Sequence, residues 1–386
     1  MRIKDLAEGA TSPEAAFVEA VLAQASRMEQ LPLALNYAPV AQMNPFQRLL
    51  YSRAAEHGFA VVPALRFEHL GLVGWAGRSV IHLHWFANVL KGVESSDEAR
   101  TRIEGFQANL AAWKARGHRI LWTMHNVLPH DCVVPDAEVA LRKVIVAAAD
   151  AIHVLSKASV EEARRYFLLP EEKVFHVPHP SYEGWYANAN DRLVARLDLG
   201  AESRDFVFVL FGSIQRYKGA MDLLDAFDAL RRMRPDRSLK LVIAGKPVDR
   251  DHVEEIAARV ATTPGARLIA SAMEERDIQS LFNGADAVVA PYRRTLNSGV
   301  ALLAATFRRP LIAPGSGGVK ETYAEDPMLL YSGAEGDGLL EAMHRALEHR
   351  PDDAVFDAIL AAHRPPELSS RFFVEVRQRL FPEVIP

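Results

Sequence analysis

Apolar residues fall along this chain in short continuous runs, separated by segments of helical period. The runs are LPLALNYA (31–38), FAVVPA (59–64), SVIHLHWF (79–86), RILWTMHN (119–126) and AIHVLS (151–156), then DFVFVLFG (205–212), LKLVIAG (239–245), ARLIAS (266–271), AVVAPY (287–292) and PLIAP (310–314). A strand with one wet face alternates apolar and polar residues, whereas a strand covered on both faces is apolar throughout. Most of these runs are of the second kind, with room for a helix between them, so the pattern predicts α/β units built on parallel sheets. The pattern also restarts. After VFHVPHPSYEGWYANAN (174–190), a polar and aromatic stretch without clear period, a new strand begins at Asp205. That stretch reads as the link between two doubly wound domains. The segment PELSSRFFVEVRQRLF places Phe372, Phe373, Val376 and Leu380 on one helical face, which predicts a closing helix. The expected domains are 1–187, 188–366 and a closing helix, 367–386, packed back on the first domain.

Composition narrows the class. In 386 residues, hydrophobic positions make up 49% and charged ones 24%, the balance of a globular protein with room for two cores. Lys and Arg total 45 against 49 Asp and Glu, a net charge of −4, which argues against a dedicated nucleic-acid binder. The single cysteine, Cys132, excludes a disulfide framework and a cysteine-based zinc finger and fits a reducing compartment. The start MRIKDLAEGATSPE lacks the apolar stretch of a signal peptide. The apolar tract VIVAAADAIHVL is interrupted by Asp150 and His153 and is too short to span a bilayer. The expectation is a cytoplasmic protein, free or peripheral on the inner face of the membrane.

In open parallel sheets, ligands sit beyond the carboxyl ends of the strands, so the residues just after each strand carry the candidate chemistry. In LFGSIQRYKGAMDLLDAF (210–227), Gly212 permits a sharp turn, and Arg216 and Lys218 stand near a helix start. Two cations there suit a diphosphate, although a solvated loop would look the same. After the strand that ends at Tyr292, Asn297, Ser298 and Gly299 open an apolar helix; they either cap it or offer its backbone N–H groups to a ligand. GSGGVKET (315–322) puts glycines before a third helix start, with Glu321 expected in its first turn. Three such junctions together point to a nucleotide site.

Ten of the 14 histidines lie in the first half. His82 and His84 share one strand face, and His125 follows RILWTM, so a metal set is one reading and ordinary hydrogen-bonded histidines the other. Asp249-Arg250-Asp251 has the spacing of a DxD metal motif, but acidic residues also favour the start of the helix that follows, and that is the preferred account. No metal site is expected.

With these phrases in place, residues 79–325 resemble nucleotide-sugar glycosyltransferases of the GT-B fold, family 4 and its relatives. The matching pieces are the strand–His125-Asn126 junction, ADAIHVLSKASVEEARRYFLLPEEKVFHVPHP (149–180), FGSIQRYKG (211–219), VIAGKP (242–247), NGADAVVAPY (283–292) and GGVKE (317–321). LHWF, HNVLPHD, the YKG loop and PYRRTLNSGVALLA are similar to bacterial exopolysaccharide mannosyltransferases that extend a polyprenyl-diphosphate-linked glycan, as in the xanthan pathway. Where family 4 places two glutamates eight positions apart, this chain has Thr295 and Leu303, and Ser213 stands where an arginine usually follows the loop glycine. The resemblance implies an α/β protein of GT-B type, two Rossmann-like domains facing a central cleft, the first for the acceptor and the second for the donor.

It further implies transfer of a hexose, mannose before others, from a nucleotide sugar to a glycan or polyprenyl-diphosphate-linked acceptor at a membrane surface. GDP-mannose is the favoured donor, with a UDP-sugar as the other choice. Cations and a helix N-terminus can stabilise the departing diphosphate without a metal. Donor-binding candidates are Gly212, Arg216, Lys218, Tyr292, Asn297, Ser298, Gly299 and Glu321. His125 is the candidate for a donor-sugar hydroxyl or the reacting centre. Asp131 is either the base that takes the acceptor's proton or a surface turn residue. Asn44, His84 and Trp85 are candidates for the acceptor side, with core packing as the other account of the aromatic ring. The alternatives from other classes are a metal-dependent hydrolase using His82, His84 and His125, and an inactive sugar-nucleotide-binding protein.

Overall fold

A computed structural model describes residues 13–25, 31–41, 44–71, 75, 77–129, 132, 134–292, 296–332 and 338–384. The chain divides into two compact units, one of residues 1–180 with 365–386 and the other of residues 181–364.

In the first unit, β1 (Leu33–Ala38), β2 (Phe59–Pro63), β3 (Ser79–Leu83), β4 (Arg119–Met124), β5 (Ala151–Val154) and β6 (Val174–His176) form one sheet. Its order is β2-β1-β3-β4-β5-β6, and every pairing is parallel. All residues of β1, β3 and β5 are buried, as strands covered on both faces require. The helix Pro365–Leu380 belongs to this unit. Its Phe372, Phe373, Val376 and Leu380 lie in one apolar cluster with Leu33, Leu35, Val80 and Phe175. Ser369 fastens it, accepting from Arg53 N at 2.9 Å and donating to Leu50 O at 2.7 Å.

The second unit repeats the plan. Strands β7 (Phe206–Phe211), β8 (Leu239–Ala244), β9 (Ala266–Ile269), β10 (Ala287–Val289), β11 (Leu311–Pro314) and β12 (Leu330–Tyr331) run parallel in the order β12-β11-β10-β7-β8-β9. The helix Ala220–Met233 turns Leu223, Leu224, Phe227 and Leu230 onto this sheet. Each sheet therefore has a place where the strand order reverses, β1 beside β3 in the first and β7 beside β10 in the second. Ligands of doubly wound sheets sit at that crevice.

Two details differ from the sequence-based expectation. The stretch 174–190 is not wholly a link, because its first three residues are β6. Residues after Pro180 are bonded into the second unit: Ser181 N donates to His363 O at 2.7 Å and Tyr182 N to Thr306 Oγ1 at 3.1 Å. The units thus divide at 180/181 and 364/365, where the sequence suggested 187/188 and 366/367. Among the described residues, no helix is long and apolar enough to cross a membrane.

Candidate functional site

In the second unit the loop after β7 is held by backbone contact on two sides. A Cβ added at Gly245 would lie 1.6 Å from Gly212 O, so the ends of β7 and β8 touch main chain to main chain. Ile214 N donates to Lys246 O at 2.8 Å, extending that contact into the loop. Gly219 has φ +73°, and a Cβ there would lie 2.2 Å from Pro291 O, which presses the loop against the end of β10. Only glycine fits such an approach.

This fixes Lys218 over β10. Its Nζ stands 4.0 Å from the ring centre of buried Tyr292 and 5.1 Å from that of Tyr217, within cation–π range of both. Burial lowers the Lys218 pKa. Among the described residues, no carboxylate stands within ion-pair distance of its Nζ. The cation is therefore held at the switch point of the sheet beside the Tyr217 hydroxyl, with no carboxylate partner among the described residues.

Arg216, two residues earlier, is placed differently. Its guanidinium grips Glu255 with both ends, at 2.9 and 2.8 Å, and approaches Asp249 at 3.3 Å. The hydrogen bond from Arg216 holds the Glu255 carboxyl down to about 2. The structure thus commits Arg216 to an exposed ion-pair network rather than to a site shared with Lys218. Asp249 also caps the helix Arg250–Ala261, accepting from His252 N at 3.0 Å, so the DxD spacing is a helix start.

Ser298 is the N-cap of the helix Gly299–Thr306, its Oγ accepting from Ala301 N at 3.3 Å. Asn297 and Gly299 flank it and are partly accessible. Gly318 N donates to Leu296 O at 2.8 Å, so the third glycine loop lies beside this cap. Glu321 is exposed in the second turn of the helix Gly317–Thr322, a turn later than expected, because both glycines are already helical.

The first unit gathers its polar groups at the carboxyl ends of β3, β4, β5 and β6. His125 Nε2 lies 2.9 Å from His84 Nδ1, and His84 Nε2 lies 2.7 Å from the Tyr51 hydroxyl. The same hydroxyl meets His82 Nδ1 at 2.7 Å, and His82 Nε2 meets Thr123 Oγ1 at 2.7 Å. Thr123 Oγ1 meets His153 Nδ1 at 2.9 Å, and His153 Nε2 meets Val177 O at 2.7 Å. Phe372 lies against this run, 5.5 Å from the His82 ring and stacked on it. Burial and the neighbouring rings push His82, His84 and His125 well below the ordinary value, and burial takes His153 down to about 3.

These distances correct two readings. Both ring nitrogens of His84 are engaged inside the protein, so it has none to offer an acceptor substrate. The same holds for His82, and the metal set of His82, His84 and His125 has no lone pairs arranged to form it. Among the described residues, no group of His, Cys, Asp or Glu is arranged to hold a metal ion. Trp85 is stacked on His125 at 4.1 Å and stays partly accessible. Asn44 is an exposed turn residue whose Oδ1 accepts from Phe46 N at 3.0 Å, at the start of the helix Phe46–Leu50. Asp131 and Thr295 lie outside the described residues.

Residues 205–349 match the family model described as glycosyl transferases group 1. That match falls within the second unit. The chain is 25% identical over 347 residues to the GDP-mannose:glycolipid 4-beta-D-mannosyltransferase of Xanthomonas campestris pv. campestris, covering 88% of this chain and 87% of that protein. Among solved structures it is similar to a sucrose-phosphate synthase from Thermosynechococcus elongatus, with TM-score 0.67 and 15% identity over 91% of this chain and 99% of that one. It is also similar to Anabaena HepE in complex with UDP and glucose, with TM-score 0.59 and 14% identity over 92% of this chain and 99% of that one. The chain is a glycosyltransferase of GT-B fold.

Several residues of this glycosyltransferase's polar run were missed by sequence reasoning. Thr123 and His153 are fully buried in strands whose other residues, apart from the exposed Arg119 that begins β4, are apolar and buried. A polar side chain in such a strand needs a partner, and that is the signal that could have found them. Tyr51 carries no comparable signal, since it ends a short helix 31 residues before His82.

Proposed function

We propose that this glycosyltransferase moves mannose from GDP-mannose to a polyprenyl-diphosphate-linked glycan or glycolipid, without a metal. The second unit would receive the donor and the first the acceptor. The observation that carries the reading is Lys218, a desolvated cation at the β7/β10 switch point with no carboxylate of its own in reach among the described residues. As the glycosidic bond to the nucleotide breaks, negative charge grows on the leaving diphosphate. A pre-placed ammonium answers that charge without reorganisation. The N-terminal turn of the helix Gly299–Thr306, close to Tyr292 in sequence, adds backbone N–H donors of the same sign. His125 in the first unit would hold a sugar hydroxyl, and Asp131 remains the proposed base for the acceptor's proton.

Mannose and a lipid-linked acceptor are favoured because the Xanthomonas relative is named for both and spans both units. A membrane-surface setting is supported by one face of the first unit. There Tyr166 and Leu168 are exposed beside Lys143, Arg164, Arg165 and Lys173, a mixture suited to an anionic interface. Binding of the purified chain to anionic vesicles, absent with neutral ones, is the expected result.

The deciding experiment offers GDP-mannose and UDP-glucose in parallel with a polyprenyl-diphosphate-linked glycan, with and without EDTA. Mannose transfer that EDTA leaves intact is expected. Transfer from the UDP-sugar alone would change the donor, and loss in EDTA restored by a divalent ion would return a metal to the mechanism.

A further inference from the structure

Asp286 comes just before β10, and its carboxylate gathers cations at the amino end of the second sheet. Arg192 Nη2 donates to Asp286 Oδ1 at 2.6 Å, and Arg196 Nη1 to Oδ2 at 3.0 Å, where Val207 N also donates at 2.8 Å. The two arginines reach it together because they stand four apart on the helix Arg192–Asp198. Their other hydrogen bonds go to backbone. Arg192 Nη1 donates to Asn283 O and Ala285 O, and Arg196 donates to Gly284 O, Glu202 O and Asp205 O. Two guanidiniums thus share one carboxylate.

A third arginine has none. Arg309 stands just before β11 and is only partly exposed. Among the described residues, no carboxylate lies within ion-pair distance of it. Its hydrogen bond from Nη2 to Asn283 Oδ1 is stretched to 3.4 Å, beyond the ordinary range, and its Nε is buried without a partner. Asn283 is held where it stands, because its own Nδ2 donates to Asn188 Oδ1 at 2.8 Å. Burial, and then the charges of Arg192 and Arg350, lower Arg309 to about 10, so it keeps its proton near pH 7. Arg350 brings no compensation, since it is exposed and its own carboxylate, Asp353, is 3.9 Å away. Arg192, Arg196 and Arg309 therefore face Asp286 with an excess of two positive charges. A half-desolvated guanidinium left in such company is costly until an anion meets it.

We propose that Arg309, with Arg192 beside it, binds a phosphate dianion, free or as a phosphomonoester, at the amino ends of β10 and β11. The excess of two charges matches such an anion, and a guanidinium fork matches its oxygens. The site is separate from Lys218, which lies beside Tyr292 past the carboxyl end of the same β10. Bound there, the anion joins the helix Arg192–Asp198 to the start of β11 through the two arginines. It acts on the stability of the second unit and touches no reacting atom, so the site stands whether or not the donor reading does.

The test is thermal melting of the full chain slightly above neutral pH, where phosphate is mainly the dianion. Inorganic phosphate is titrated against sodium chloride of equal ionic strength, so that screening is matched. Lys218→Ala is the background throughout, which removes the other cation that phosphate would seek. With phosphate at about ten times its dissociation constant, the melting midpoint should rise by roughly 3–6 °C. Arg309→Met keeps a long side chain and removes the charge; added to that background, it should abolish the rise. Equal midpoints in phosphate and chloride, or a rise that survives Arg309→Met, overturn the proposal. Glycerol 3-phosphate in a parallel arm separates the two sources: binding tighter than that of inorganic phosphate assigns a monoester, and weaker binding a free ion. If Arg309→Met fails to fold, hydrogen exchange decides on the chain that retains Arg309. Phosphate should slow exchange across 282–286 and 309–312, and unchanged exchange there overturns the site.

Discussion

Lys218 and Arg216 stand two residues apart, and their surroundings give them different work. Lys218 is desolvated, lies over Tyr292 and has no carboxylate partner among the described residues, so its folded environment is unfavourable until an anion arrives. Lys218→Ala should therefore cost about 2–4 kcal/mol of transition-state stabilisation, roughly 30- to 1000-fold in kcat/KM, with the melting temperature unchanged or raised. Steady-state kinetics beside thermal melts check both halves. Arg216 is already satisfied by Glu255 and Asp249. Arg216→Ala should leave kcat/KM within a few-fold of the parent, and a loss as large as that of Lys218→Ala would mean that the arginine leaves its carboxylates for the donor.

The buried histidines make a prediction of opposite kind. His153 titrates near 6.5 when unfolded and at about 3 in the folded protein, because burial penalises its charge. Below pH 6.5 the unfolded chain binds the proton that the folded chain refuses. Stability from this group is thus complete above pH 6.5 and is lost as pH falls toward 3. Such a histidine contributes up to about 1.4 kcal/mol per pH unit to the slope. His153→Gln should make the acid-side slope of unfolding free energy shallower by about that amount between pH 6 and 5, measured by denaturant titration. An unchanged slope would mean that this imidazole is not held neutral.

At the scale of elements, the loop after β7 is positioned by strand ends that touch rather than by its own side chains. Gly245→Ala would drive a methyl group into Gly212 O, now 1.6 Å from where that carbon would sit. The ends of β7 and β8 must part to admit it. The expected result is a loss of at least about 2 kcal/mol in stability, and a raised donor KM because Lys218 moves with the loop. A variant with parental KM would show that the loop keeps its place without this contact.

The same scale explains what could be read before any coordinates. Ten strands were legible, most of them because they are continuous apolar runs, which only burial on both faces makes tolerable. β6 and β12 were not, being three and two residues long, too short for any period to register. The Gly219 and Ser298 junctions were legible because turn and cap chemistry is local. The histidine run was legible only in part. His82, His84 and His125 stood out, yet their partners are set by pairing across strands, such as His82 opposite Leu121 and Thr123 opposite His153. Register of that kind is a property of the assembled sheet. Hence the sequence could raise a metal set, and geometry was needed to show the nitrogens already engaged.

For the molecule as a whole, the first unit is discontinuous: the chain leaves it after Pro180, completes the second unit, and returns at Pro365. The returning helix is part of the core. Phe372 covers His82, and Phe373 packs at 4.8 Å from Phe59. Burying a phenylalanine this way is worth about 3–5 kcal/mol on truncation to alanine. Phe372→Ala should accordingly lower the stability of the first unit by that order and leave the second unit's own unfolding transition unchanged, as followed by hydrogen exchange on each.

A ribosome makes this chain from its N-terminus, and domains commonly fold in the order they emerge. Here that order is inverted. The unit begun first cannot close until residues 365–380, carrying Phe372 and Phe373, have left the exit tunnel, by which time residues 181–364 have long been available to fold. On nascent chains stalled at successive lengths, protease resistance should appear in the second unit before the first. Until the helix Pro365–Leu380 arrives, the strands of the first unit wait with one face uncovered. That interval is where this protein would need a chaperone.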